Sequence, residues 1–133
     1  MSRLVYLDTS ALFKLVVDER ESAALKRFLR SWPARVVSAI ARLETSRTLL
    51  RAGADRDVYS RLYLMFRHLT VLRIDDDVLA RAERIAPPTL RSLDAIHLAT
   101  ALQLGSDLGV LVTYDKRLAS AAADAALAVE SPS

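Results

Sequence analysis

The chain has 133 residues, a length that suits one domain built on one core. With 52% hydrophobic and 26% charged residues it is not composed like a disordered chain, and the lack of cysteine excludes disulfides and thiolate metal sites and fits a reducing cytoplasm. The net charge is +3, and arginine dominates the 19 basic residues, so the surface tolerates a phosphate-bearing partner without requiring one.

The opening run "RLVYLD", residues 3–8, is apolar on both parities and reads as a strand buried on both faces. It is too short for the apolar segment of a signal peptide, and no run approaches the ~18 apolar residues of a spanning helix. A soluble protein of the cytoplasm, with no membrane role, is expected. "TSALFKLVVDE" then takes helical spacing, with Leu12, Leu15 and Val16 on one stripe and Thr9 or Ser10 as cap. A second helix is expected from Glu21 to Trp32, stopped by Pro33. "RVVSA", residues 35–39, is a short strand, followed by a helix from Ala39 to Ala52 that Gly53 ends, and another from Asp57 to His68. These two consecutive helices suggest a lobe beside the sheet.

"LTVLRI" is a third strand, and "DDDVLARAERIA" a helix with three acids at its positive end. A helix from Leu93 to about Leu104 comes next, then the almost wholly apolar strand "GVLVTYD", expected in the sheet's interior. "KRLASAAADA" is a last helix, "LAVE" a candidate edge strand and "SPS" a frayed tail. Strands alternating with helices predict an α/β fold, a mostly parallel sheet with helices on both faces.

In such sheets reactive groups gather beyond the carboxyl ends of the strands. Asp8 ends the first strand and Asp115 ends "GVLVTYD"; Asp94 opens a helix whose first turn can face the same edge, and Glu44 lies in the helix after the second strand. Each alone has a plainer use. Asp8, Asp94 and Asp115 could cap helices, and Glu44 could pair with Arg47 one turn on. Their shared position at one predicted edge suggests a cluster instead. Carboxylates so gathered repel one another, and a divalent cation removes the conflict. Oxygen donors without cysteine suit Mg²⁺, with Mn²⁺ as a substitute, and such an ion suits phosphate chemistry. Ser10, Thr9 and Thr113 could orient the carboxylates or their waters. His97 lies three residues after Asp94 on the same helical face and is read as a packed, hydrogen-bonded structural residue.

"YLDTSALFKL", "SAIARLETSRTL", "LRSLDAIHLATAL" and "LVTYDKRLASAA" together resemble, in order, the four motifs of the PIN-domain ribonucleases, and more narrowly of VapC-like toxins. The resemblance covers essentially the whole chain. It implies a single PIN-like domain over residues 1–133, a three-layer α/β/α fold, and a catalytic set of Asp8, Glu44, Asp94 and Asp115, with Asp8 and Asp94 as the direct metal ligands. Ser10 and Thr113 match hydroxyl positions near the site. The implied activity is Mg²⁺-dependent hydrolysis of RNA phosphodiesters, transfer RNA or ribosomal RNA, which arrests translation. The implied partners are a VapB-like antitoxin and a second copy of the chain. Arg47 and Arg91 are candidates for holding flanking phosphates. Two rival readings exist. One is an aspartate-nucleophile phosphatase, disfavoured because Ser10 stands where the second acid belongs. The other is a catalytically silent module whose acids only hold a metal or a basic peptide.

Overall fold

A computed structural model describes residues 4–133. Its strands are β1 (Leu4–Leu7), β2 (Ala34–Ser38), β3 (Thr70–Leu72), β4 (Leu108–Val112) and β5 (Val129–Glu130). Its helices are α1 (Thr9–Val16), α2 (Ser22–Leu29), α3 (Ala39–Arg51), α4 (Arg56–Phe66), α5 (Asp76–Ala82), α6 (Ser92–Leu102) and α7 (Lys116–Asp124). The strands form one sheet in the order β3-β2-β1-β4-β5, every pairing parallel. The α/β class with a parallel sheet follows the sequence reading, and β4 does lie inside the sheet with β5 at its edge.

Alternation along β1 builds the layers. Val5 and Leu7 pack with Leu12, Leu25, Leu29 and Val37 under α1 and α2. Tyr6 points the other way, into a cluster with Leu98, Ala101, Leu111 and Leu118 under α6 and α7. Helices therefore cover both faces in three layers. The lobe expected from two consecutive helices exists: Val16 of α1, Leu49 of α3 and Leu62 of α4 form a third cluster.

The regular elements are shorter than their sequence patterns. Arg3, expected to open the first strand, lies outside the described residues. The second helix spans Ser22–Leu29 rather than Glu21–Trp32; beyond Leu29 the amides of Arg30, Ser31 and Trp32 bond three residues back, and Trp32 stacks on Phe28 with ring centroids 6.1 Å apart. The strand expected through Asp115 stops at Val112. There the Thr113 hydroxyl accepts the Asp115 N–H at 3.0 Å and turns the chain toward α7. Gly109 sits where the β1–β4 register shifts, and a Cβ there would overlap the Trp32 ring, so glycine is required by close approach. The C-terminal "SPS" is not frayed. Tyr114 donates its hydroxyl to the Pro132 carbonyl at 2.7 Å, and Ser131 donates to the Thr113 carbonyl.

β1 and β4 are neighbours although the chain makes β2 and β3 between them, so the order reverses there. Such a reversal opens a crevice beyond the strands' carboxyl ends. Asp8 and Asp115 follow the two strands that border it.

Candidate active site

Three helix N-termini converge on that crevice. Asp8 is the N-cap of α1, its Oδ1 accepting the Ala11 N–H at 3.0 Å. Asp115 is the N-cap of α7, accepting from Arg117 N at 2.8 Å and Leu118 N at 3.2 Å. Asp94 lies in the first turn of α6 and caps nothing; the capping position belongs to Arg91. The capping roles of Asp8 and Asp115 are thus real and coexist with their place at the site. The positive ends of these helices favour negative charge. With Glu44 of α3, the three aspartates line one cleft of about 290 Å³, together with Thr9, Ser10, Arg91, Ser92, Leu93 and His97. All four acids expected from the sequence are therefore brought together.

Asp8 is buried and densely held. Ser10 donates to its Oδ1 at 2.7 Å and Thr113 donates to its Oδ2. Ser10 Oγ also accepts the Tyr114 N–H at 2.9 Å and lies 3.4 Å from Thr113 Oγ1, so both hydroxyls belong to one brace. Thr113 braces Asp8 from the turn after β4, where its hydroxyl also accepts the Asp115 N–H. Burial pushes the Asp8 carboxyl above its ordinary pKa despite the hydrogen bonds from Thr113, Ala11 and Ser10. Asp94 is raised as well, first by burial and then by the charges of Asp115 and Asp8.

Glu44 behaves oppositely. Burial pushes its carboxyl up, but hydrogen bonds from His97 and Thr9 outweigh that and hold it below the ordinary value. Its Oε1 takes the Thr9 hydroxyl and His97 Nε2, the latter at 2.9 Å. The pairing with Arg47 is therefore not the one made. Arg47 is exposed and is not among the residues lining the cleft. Arg91 is at the mouth, its Nε 4.0 Å from Asp94 Oδ2 and its side chain 70% exposed.

His97 is buried and hydrogen-bonded, as its place in an apolar helix suggests, but its partners are at the site. Nδ1 lies 2.7 Å from the Tyr6 hydroxyl and Nε2 lies 3.1 Å from Thr9 Oγ1. Sequence reasoning missed this link to Glu44. The spacing of His97 one helical turn from Asp94 places it near the site but does not reveal Glu44 as its partner.

The PIN domain family profile matches residues 5–124. The chain belongs to the PIN domain family. Ribonuclease VapC46 of Mycobacterium tuberculosis is 50% identical over 129 residues, covering 97% of this chain and 98% of its own. Among solved PIN-type structures, Mycobacterium tuberculosis VapC20, described as a sarcin-ricin loop cleaving toxin, superposes with a TM-score of 0.72 at 19% identity, over 88% of this chain and 94% of its own. Rickettsia felis VapBC2, solved on a DNA fragment from its promoter, gives 0.77 at 12% identity over 98% of this chain and 99% of its own. At such low identity these two likenesses concern the fold alone.

Among the described residues, no three His, Asp or Glu side chains stand close enough together to hold a metal unaided. The donor set is nevertheless all oxygen, and the mutual repulsion at Asp94 is what a dication would relieve. Magnesium keeps several waters and uses one or two carboxylates directly. The site fits a hydrated ion of that kind and not a closed all-protein cage.

Proposed function

We propose that this PIN domain protein is a Mg²⁺-dependent endoribonuclease and the toxin of a toxin–antitoxin pair. The convergence of Asp8, Glu44, Asp94 and Asp115 on one cleft carries this reading. The naming of the 50%-identical relative as a ribonuclease supports it. Asp8 and Asp94 would hold the ion, Mn²⁺ serving as a substitute. When bound, it would supply charge neutralisation on the phosphate and a lowered pKa for water.

The chain's own residues do the rest. Ser10 and Thr113 fix both oxygens of Asp8, so that acid cannot swing out of the cleft. Glu44, kept ionised by His97 and Thr9, is suited to accept a hydrogen from the attacking water. Asp115, which lines the cleft, spends Oδ1 on α7 and keeps Oδ2 outside those bonds to orient water. Water adds in line to phosphorus, its proton passing to Glu44; the P–O3′ bond breaks, and the 3′-oxygen takes a proton from solvent and leaves as a hydroxyl, with the phosphate on the 5′ side. Arg91 at the mouth holds a flanking phosphate of the RNA. Structured transfer or ribosomal RNA is the proposed substrate, and arrest of translation the consequence.

The proposed partners are a VapB-like antitoxin and a second copy of the chain. Solved structures of similar fold include the VapBC pair of Haemophilus influenzae. Leu43 and Leu50 of α3 and Tyr63 and Leu64 of α4 expose apolar surface that suits such docking.

The test is cleavage of cellular RNA by Asp94→Asn and by the parent, in Mg²⁺ and in EDTA, followed by sequencing of the fragment ends. The parent should cut in Mg²⁺ alone and the variant hardly at all. A folded Asp94→Asn that cuts undiminished would overturn the assignment.

A further inference from the structure

His97 is a buried titratable ring that does not itself enter the proposed chemistry. Its helix already fills the core with Ala95, Leu98, Ala99 and Ala101, and an apolar residue would serve packing as well. Instead the imidazole touches three separate elements: Tyr6 of β1, Thr9 at the start of α1 and Glu44 of α3.

The hydrogen-bond directions follow from the donors available. Thr9 gives its one hydroxyl proton to Glu44 Oε1, so toward His97 it can only accept. In the neutral ring, Nε2 therefore carries the proton and shares it between Glu44 Oε1 and Thr9 Oγ1. Nδ1 is then the acceptor for the Tyr6 hydroxyl. The Tyr6 ring meets the imidazole edge-on, at 75° and 5.9 Å between centroids, which fixes the plane in which Nε2 points. Both bonds to Glu44, which lines the cleft, fall on Oε1 and leave Oε2 outside them. Asp94, one turn earlier on α6, lines the same cleft.

We propose that His97 is a positioning residue for Glu44: braced by Tyr6, it pins Oε1 and so sets the direction of Oε2 and its spacing from Asp94. A glutamate has three rotatable bonds, and a carboxylate that must orient water is useful only when they are fixed. The proposal rests on the ribonuclease reading for its catalytic consequence but not for its geometry.

Two polar variants separate this role from packing. The amide nitrogen of a glutamine can reach where Nε2 stands, and that of an asparagine only where Nδ1 stands. His97→Asn thus keeps a partner for Tyr6 and drops the donor to Glu44; His97→Gln keeps the donor. On an RNA that the parent cleaves in Mg²⁺, His97→Asn should lower kcat about 10–100-fold, the range for residues that orient ligands from behind. KM should change little, and His97→Gln should recover most of the loss. Added to Glu44→Gln, His97→Asn should cost nothing further.

A second readout needs neither metal nor substrate. The Glu44 carboxyl carbon, followed by NMR in metal-free protein, should titrate at higher pH in His97→Asn and return toward the parental value in His97→Gln. Equal behaviour of the two variants in both measurements, or full additivity with Glu44→Gln, would overturn the proposal. If the parent cuts no RNA, the ribonuclease reading fails, and the titration alone decides whether His97 positions Glu44.

Discussion

Thr113→Val offers a sharp test of how the site is held. The substitution keeps shape and removes one hydroxyl from a fully buried position. That hydroxyl donates to Asp8 Oδ2 and accepts the Asp115 N–H at 3.0 Å. The backbone should stay in place, because Thr113 N donates to the Glu130 carbonyl at 3.2 Å and its own carbonyl accepts from Ser131. Loss of a hydrogen bond to a charged group costs about 1.5–3 kcal/mol, and the stranded Asp115 amide adds to it, so the total should be about 2–4 kcal/mol. For a domain of this size that is a fall in Tm on the order of 8–15 °C. Burial already raises Asp8, and Thr113 is the strongest of the bonds opposing it. Its removal should push the carboxyl higher still and move the acid limb of the pH–rate profile to higher pH. Thermal melting and a pH series of RNA cleavage check both effects, with Thr113→Ser as the control that keeps the hydroxyl. Melting within about 0.5 kcal/mol of the parent, with an unmoved acid limb, would refute the idea that this hydroxyl sustains the charge on Asp8.

Metal-free stability should depend on pH with a sign that the acids dictate. Asp8 and Asp94 are raised in the fold, so their contribution is fully present below the unfolded value near 3.8 and is lost as pH rises through the folded values; lowered Glu44 contributes above about 4.5 and loses it in acid. Mg²⁺ at 100 times its Kd should add about 2.7 kcal/mol near neutral pH and progressively less toward acid, and an increment independent of pH in thermal melts would contradict this. Ala126, which follows α7, has φ 68, where a side chain is strained, so Ala126→Gly should stabilise by about 0.5–1 kcal/mol in urea unfolding.

Asp8 and Asp115 were legible because each stands where an apolar strand gives way to a helix, a change of period that one sequence shows, and Asp94 and Glu44 because their helices follow toward the same edge. The order of the elements was legible for the same reason. What was not legible depends on contacts across the chain. Glu44 and His97 are 53 residues apart, so nothing local distinguishes a histidine that holds a carboxylate from one that merely packs. The tail looked loose because "SPS" lacks apolar residues, yet Ser131 and Pro132 are tied to the turn that carries Thr113 and Tyr114. The pairing of Glu44 with Arg47, plausible on helical spacing, is not made; Arg47 faces solvent while Glu44 bonds to Thr9 and His97. Thr113 ends its strand with its own hydroxyl, through a turn bond to Asp115 N–H that strand alternation does not show.

The four acids are not equivalent, and the difference lies in how the fold restrains them. Asp8 and Asp115 serve as helix caps, so removing either carboxylate disturbs α1 or α7 as well as the cleft. Glu44 is fixed by two donors on a single oxygen. Asp94 has neither; its charged neighbour Arg91 is at the 4.0 Å limit of an ion pair and mostly in solvent. Such an exposed contact contributes little, while burial and two neighbouring carboxylates work against its charge. Asp94 is thus the acid with the fewest bonds from the protein, and one whose charge a bound cation would favour. Its replacement should therefore separate loss of chemistry from loss of folding more cleanly than replacement of Asp8. The fold secures Asp8 and Asp115 by bonds that also cap helices, and Glu44 by bonds from Thr9 and His97, while Asp94 would gain most from a bound cation.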